Sequence, residues 1–365
     1  MSRARLARAA GIVTARGLDA LLVTSLENLR YLSGFTGSDG ALLVTADGQG
    51  RFLTDARYET QAAQETRDVT IAVYRRKLEG IADAVRGAGV ARVGFEAAAL
   101  SYEAAESLRR LLAGPESGGG GVALEPVPAE ALWPLRMRKE PEELERMRRA
   151  IAIAAEALAH TLELAREGVR ELDLALELEF AMRRRGAERI AFDTIVASGI
   201  RSALPHGRAS EKKLAAGEFL TIDYGACYQG YHSDETWTGV LGEATPEQRR
   251  VFAVVKEAHD AGIAAVRPGV RASEVDAAAR RVIEAAGYGR QFGHGTGHGI
   301  GLAVHEAPAV NATSPVVLEP GMVITVEPGI YLPGWGGVRL EDMVLVTETG
   351  AEVLTRTPKE LRSLG

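Results

Sequence analysis

The sequence predicts two domains, an α/β unit over residues 1–132 and an α+β unit over residues 133–365 built from a duplicated helix-helix-hairpin around a curved sheet. Three observations predict it. Strand-like and helical runs alternate in the first third of the chain. The layout of the remainder repeats at a fixed offset. The 365 residues, 46% hydrophobic and 25% charged, have the balance of a globular protein with a sizeable core.

In the first unit an Ala/Arg-rich amphipathic helix precedes the apolar runs ALLVT at 20–24 and 41–45 and RFLTD at 51–55, which read as strands. GPESGGGG at 114–121 has no periodicity and reads as a flexible surface loop. The boundary is expected between Trp133 and Glu140, because Pro141 then opens a helix with Leu144, Met147, Ile151, Leu158 and Leu162 on one face.

The second unit nearly repeats itself. Pro141 and Pro246 each open a helix, the latter with Thr245 and Gln248 at capping-box spacing. Each helical stretch ends near Gly-Val-Arg, at 168–170 and 269–271, and a second helix follows. Each half then reaches a Gly, an apolar run, an acid and a Gly: Gly217, FLTI, Asp223, Gly225, and Gly321, VITV, Glu327, Gly329, at a constant offset of 104. A second acid follows in each half, Asp234 and Glu341.

A carboxylate in an apolar strand costs several kcal/mol to bury unless it is paired or binds a cation. Four acids converging from duplicated positions would suit hard divalent ions and could bridge two of them. Capping and salt bridges, for instance with Arg339, are the alternative. Three of the seven histidines, His294, His298 and His305, fall in the glycine-dense GHGTGHGIGLAVHE, and His206 in LPHG is a fourth candidate. His160, His232 and His259 read as surface or packing positions.

Other chemistries are disfavoured. Cys227 is the single cysteine, so no internal disulfide and no multi-thiolate metal site exists, and a reducing, cytoplasmic setting fits. The net charge of −6 gives no basic surplus for nucleic acid or an anionic membrane. No apolar run approaches a membrane span of about 18 to 20 residues, and Arg16 and Asp19 interrupt any N-terminal signal. GHGTGHGIG matches neither dinucleotide nor phosphate-loop spacing, and no GxSxG elbow is present.

TIDYGA at 221–226, SDETWT at 233–238, GHGTGHGIGLAVHE at 293–306, TVEPGIY at 325–331 and VRLEDMVLV at 338–346 resemble, in that order, the motifs of the pita-bread metallopeptidases. NLRYLSGFTGSDGALLVT at 28–45 and FLTDARY at 52–58 are similar to the α/β N-terminal domain shared by creatinase, prolidase and aminopeptidase P. Methionine aminopeptidase lacks that domain and fits poorly. The resemblance implies a dinuclear site with Asp223 on one ion, His298 and Glu327 on the other, and Asp234 and Glu341 bridging. Mn²⁺ is the first expectation, with Co²⁺ or Zn²⁺ as alternatives.

It further implies that such ions lower the pKa of bound water toward about 7. Glu327 then acts as general base and acid. His206, His294 and His305 bind substrate and stabilise the tetrahedral intermediate, and Tyr331 and Arg339 support them. One departure stands out: the family usually has Thr-Arg-Thr after the second aspartate, whereas Trp237 lies here between Thr236 and Thr238, which puts the local surroundings and substrate preference in question.

The activity expected from the resemblance is that of an Xaa-Pro aminopeptidase acting on peptides with proline second. An Xaa-Pro dipeptidase (prolidase) is the close alternative and a non-catalytic binding scaffold the remote one. A cytoplasmic homodimer is expected, with no nucleic-acid or membrane partner.

Overall fold

The computed structural model describes residues 2–113 and 121–365; the glycine-rich stretch expected to be a flexible loop lies, except for Gly121, outside the described residues. The chain divides into two compact units, Met1–Arg136 and Met137–Gly365.

The first unit contains helices α1 (Ser2–Ala15), α2 (Leu26–Ser33), α3 (Glu59–Glu65), α4 (Lys77–Gly87) and α5 (Tyr102–Leu112). Its strands are β1 (Ala20–Val23), β2 (Ala41–Thr45), β3 (Gly50–Asp55), β4 (Val69–Tyr74), β5 (Arg92–Glu96) and β6 (Ala123–Val127). They form one mixed sheet in the order β4-β3-β2-β1-β5-β6, with β1 antiparallel to β2 and parallel to β5. The continuous apolar runs of β1 and β2 are buried throughout except at Thr45, as strands covered on both faces require. Leu22, Leu43, Leu53 and Val93 share a core with Ile81 and Val85 of α4 and Leu108 of α5.

The second unit is made of two helix pairs and their hairpins. Helix α6 (Pro141–Leu162) starts with Pro at its first turn and a Glu140/Glu143 capping box, and it buries Met147, Ile151, Leu158 and Leu162. Its partner is α7 (Glu171–Arg184). In the second half α8 (Pro246–Ala265), with the Thr245/Gln248 capping box formed, pairs with α9 (Ala272–Ala285).

Strands of the first half are β7 (Arg189–Ile190), β8 (Ile195–Ser198), β9 (Phe219–Tyr224), β10 (Ala226–Tyr228), β11 (Tyr231–His232) and β12 (Glu235–Leu241). Those of the second are β13 (Gly297–Gly299), β14 (Glu306–Val310), β15 (Val323–Val326), β16 (Gly329–Leu332), β17 (Gly336–Arg339), β18 (Asp342–Val346), β19 (Ala351–Val353) and β20 (Ser363–Leu364). The two main ladders run β20-β12-β9-β8 and β14-β13-β15-β18-β19. They meet where the Glu341 amide donates to the Thr236 carbonyl at 3.2 Å, so the curved surface has a seam between the halves. The α6/α7 pair packs on the first ladder through Leu158, Leu178, Ile222 and Trp237, and the α8 and α9 side packs on the second through Val275, Ile324 and Val344.

Candidate metal centre

Strand pairing accounts for the front of the site. In β9 and β12 Asp223 lies opposite Thr236, and Thr221 opposite Thr238, so these four side chains share one face. Asp234 immediately precedes β12. In the other half Glu327 follows β15, Glu341 precedes β18 and His298 sits in β13.

One ligand atom each from Asp234, His298 and Glu341 lies within 4.8 Å of the others, the single such group of metal-ligating side chains among the described residues. His298 Nε2 is 3.5 Å from Asp234 Oδ2 and 3.5 Å from Glu327 Oε1. The His298 Nδ1–H donates to the Gly299 carbonyl at 3.0 Å, which leaves Nε2 as a lone-pair acceptor directed at carboxylate oxygens. Thr236 Oγ1 donates to Glu341 Oε2 at 2.7 Å, and Arg339 Nη2 donates to Asp223 Oδ2 at 2.7 Å. The other Asp223 oxygen, Oδ1, is buried and has no hydrogen-bond partner.

The electrostatics agree with the geometry. Burial and then the charges of Glu341, Asp223 and Glu327 raise the Asp234 carboxyl well above its ordinary range. Burial, then Glu327 and Asp223, do the same to Glu341. Glu327 rises to about 8 through burial, opposed by Arg339 and reinforced by Asp223. Burial lowers His298 to about 4, so its ring is neutral at pH 7. A lone pair facing oxygens, an orphaned carboxylate oxygen and three acids, Asp234, Glu327 and Glu341, whose ionisation is disfavoured by burial and by their acidic neighbours together fit divalent cations, for which carboxylates with one imidazole are a suitable donor set.

Arg339 is buried and holds the surroundings together. Besides Asp223 it donates through Nε to Thr236 Oγ1 and through Nη1 to the Pro205 carbonyl and Tyr331 OH, each at 3.0 Å. Thus the ion-pair alternative raised by the sequence is also present, at Asp223 alone of the four acids. Tyr331 OH lies 2.9 Å from His294 Nε2, while His294 Nδ1 faces the Gly295 carbonyl at 2.7 Å. Burial lowers His294 to about 4. His305 is exposed, but its ring centroid is 4.3 Å from that of His298. His206 is exposed on the loop after Gly199–Ala203, within electrostatic range of His294.

Trp237 faces away from this group. It alternates with Thr236 and Thr238 and is buried against α6 and α7, so the site face of β12 keeps both threonines.

Sequence reasoning missed two buried acids behind the histidine loops. Asp276 on α9 accepts from the Thr296 amide and hydroxyl and pairs with Arg280, which donates to the Phe292 and His294 carbonyls. The Thr296 carbonyl in turn accepts from the Glu327 amide at 2.7 Å. On α7 Glu171 accepts from Ser198, Arg201 and Ser210, on either side of His206. No repeat signal marks them: α7 and α9 begin at Glu171 and Ala272, so Glu171 and Asp276 do not hold equivalent positions in the two halves.

The profile of metallopeptidase family M24 matches residues 145–348, and that of the creatinase/prolidase N-terminal domain matches residues 5–137. An uncharacterized peptidase of Bacillus subtilis (strain 168) is 43% identical over 94% of this chain and 96% of its own. An Xaa-Pro dipeptidase from Bacillus anthracis superposes with a TM-score of 0.95 at 39% identity, covering 100% of both chains. A prolidase from Pyrococcus horikoshii OT3 gives 0.92 at 34% identity over 98% of this chain and 100% of that one. An X-Pro aminopeptidase from Thermotoga maritima MSB8 gives 0.87 at 35% identity, with 98% and 100% covered. Of the two activities raised by the sequence, the dipeptidase therefore has the closer support and the aminopeptidase the weaker.

Proposed function

The chain belongs to metallopeptidase family M24, and from that premise we propose that it is an Xaa-Pro dipeptidase, hydrolysing the bond between an N-terminal residue and a C-terminal proline. The observation that carries this reading is the similarity, over the full length of both chains, to a protein described as an Xaa-Pro dipeptidase, in a chain that keeps the whole set of candidate ligands. An Xaa-Pro aminopeptidase is the second reading, supported by the Thermotoga maritima structure.

In this proposal Asp223, Asp234, His298, Glu327 and Glu341 would hold two divalent cations, Mn²⁺ first, with Co²⁺ or Zn²⁺ as alternatives. Such cations supply Lewis-acid polarisation of the scissile carbonyl and acidify water at neutral pH. Glu327 takes the proton from the attacking water and returns it to the leaving nitrogen. Arg339 donates to Asp223 Oδ2 and fixes Tyr331, whose hydroxyl orients His294. His206, His294 and His305 bind the substrate and stabilise the developing oxyanion. Proline offers no N–H at the scissile bond, so a site that accepts it does not rely on that donor. The reading includes a cytoplasmic homodimer; among the described residues no helix is long and apolar enough to cross a membrane. The intact ligand set argues against a non-catalytic scaffold.

The test compares hydrolysis of an Xaa-Pro dipeptide with that of a tripeptide extended after proline, using Mn²⁺-loaded protein. Cleavage of the dipeptide alone is the expected result. Release of the first residue from the tripeptide at a comparable rate would overturn the dipeptidase in favour of the aminopeptidase.

A further inference from the structure

Behind the candidate metal centre lies a second buried charged cluster, formed by the immediate sequence neighbours of three of the acids. Because successive residues of a strand point to opposite faces, Tyr224, Glu235 and Asp342 project away from the side occupied by Asp223, Asp234 and Glu341. Tyr224 and Glu235 are register partners in β9 and β12, and the Tyr224 hydroxyl donates to Glu235 Oε2 at 2.8 Å. Asp342 opens β18, in the other half of the duplication.

Lys359, from the segment after β19, joins these halves. Its ammonium is bonded to Glu235 Oε1 and lies 3.2 Å from Asp342 Oδ1. Thr355 Oγ1 donates to the same Asp342 oxygen at 2.5 Å, and His259 Nε2 on α8 is 3.1 Å from Asp342 Oδ2. Lys359 and Asp342 are each 5% exposed, Glu235 1% and Tyr224 0%. Replacing such a buried set by apolar residues is often neutral or stabilising, so stability alone gives little reason for it, whereas fixing one arrangement of the chain does.

The arrangement fixed here is the seam. At the site face the ladders carrying Asp234 and Glu341 meet through a backbone hydrogen bond, from the Glu341 amide to the Thr236 carbonyl, and through the Thr236 and Thr238 hydroxyls, which donate to Glu341 Oε2 and the Arg339 carbonyl. We propose that Lys359 is a positioning residue for the metal centre: by clamping Glu235 to Asp342 it sets the separation of the adjacent carboxylates Asp234 and Glu341, two of the residues that would hold the cations. This rests on the metal-centre reading above. Groups that orient metal ligands without touching the ion commonly change affinity or activity by about 10- to 100-fold when removed.

The test measures Mn²⁺ binding calorimetrically to the full chain after chelation and dialysis, together with thermal unfolding. Four proteins are compared: the parent, Lys359→Met, Glu235→Gln and Leu364→Ala. Leu364 is buried in β20, beyond Lys359, and its truncation loosens the C-terminal segment without touching the clamp. Lys359→Met and Glu235→Gln are expected to weaken Mn²⁺ binding by about 10- to 100-fold, while Leu364→Ala lowers the melting temperature with affinity within a few-fold of the parent. Parent-like affinity in folded Lys359→Met, or equal weakening in Leu364→Ala, would overturn the proposal. Should Lys359→Met fail to fold, Glu235→Gln, which keeps the Lys359–Asp342 pair, decides by the same criterion. A parent chain that takes up no Mn²⁺ would defeat the metal-centre reading first and this inference with it.

Discussion

Replacing Glu327 with Gln should push activity and stability in opposite directions. With the carboxylate gone, the general base is lost, and turnover should fall by about 10²- to 10⁴-fold. Stability follows from the raised ionisation of the same group. Burial, opposed by Arg339 and reinforced by Asp223, lifts Glu327 from 4.5 to about 8. A carboxyl with a folded value above its unfolded one gives its full contribution below the unfolded value, near pH 4.5, and loses it as pH climbs toward 8. At about 1.4 kcal/mol per pH unit between those values, the loss is at most ~5 kcal/mol for this group. In urea titrations the chelated parent protein should carry this loss between pH 5 and pH 8, set against the gain that buried, neutral His294 and His298 give up to about pH 6.5 in parent and variant alike, and added Mn²⁺ should restore it. Chelated Glu327→Gln lacks that ionisation, so its loss over the same interval should be visibly smaller, the remainder coming from Asp234 and Glu341. An equal loss in both proteins, or near-parent turnover in the variant, would refute the reasoning.

Two other substitutions separate the site from its support. Arg339→Met leaves the Asp223 carboxylate and the Pro205 carbonyl without their shared donor, and breaking a buried pair of this kind costs about 3–5 kcal/mol; chemical denaturation measures it, and a change below about 1 kcal/mol would contradict the structure. Trp237→Ala should cost about 3–5 kcal/mol through a cavity against α6 and α7. Its kcat/KM, measured below the new unfolding transition, should stay within a few-fold of the parent, because the side chain faces away from the acids.

What the sequence made legible was local or periodic. Asp223 and Glu327 stood out because an acid in an apolar strand needs a reason, and the constant offset of 104 residues tied them to one another. The amphipathic face of α6 and the Thr245/Gln248 cap were readable for the same reason, since each depends on residues within a turn or two. Long-range pairing was not legible. Arg339 reaches Asp223 across 116 positions and Lys359 reaches Glu235 across 124, and no local pattern announces either. His259 read as a surface or packing position and is buried beside Asp342, a partner the sequence did not name, because helix periodicity locates a face without naming what packs on it. Trp237 is the instructive intermediate case. Its position between two threonines already implied, by strand alternation, the opposite face from theirs, and the sequence reading left that implication unused.

The central claim is that five side chains from both halves of a duplicated fold gather around two divalent cations. Anomalous diffraction from crystals grown with Mn²⁺, paired with elemental analysis, tests it most directly. Two peaks per chain are predicted, both in contact with Asp234 and Glu341, one also with Asp223 and the other with His298 and Glu327. A chain with no stoichiometric metal, or with its metal bound away from these residues, would contradict it.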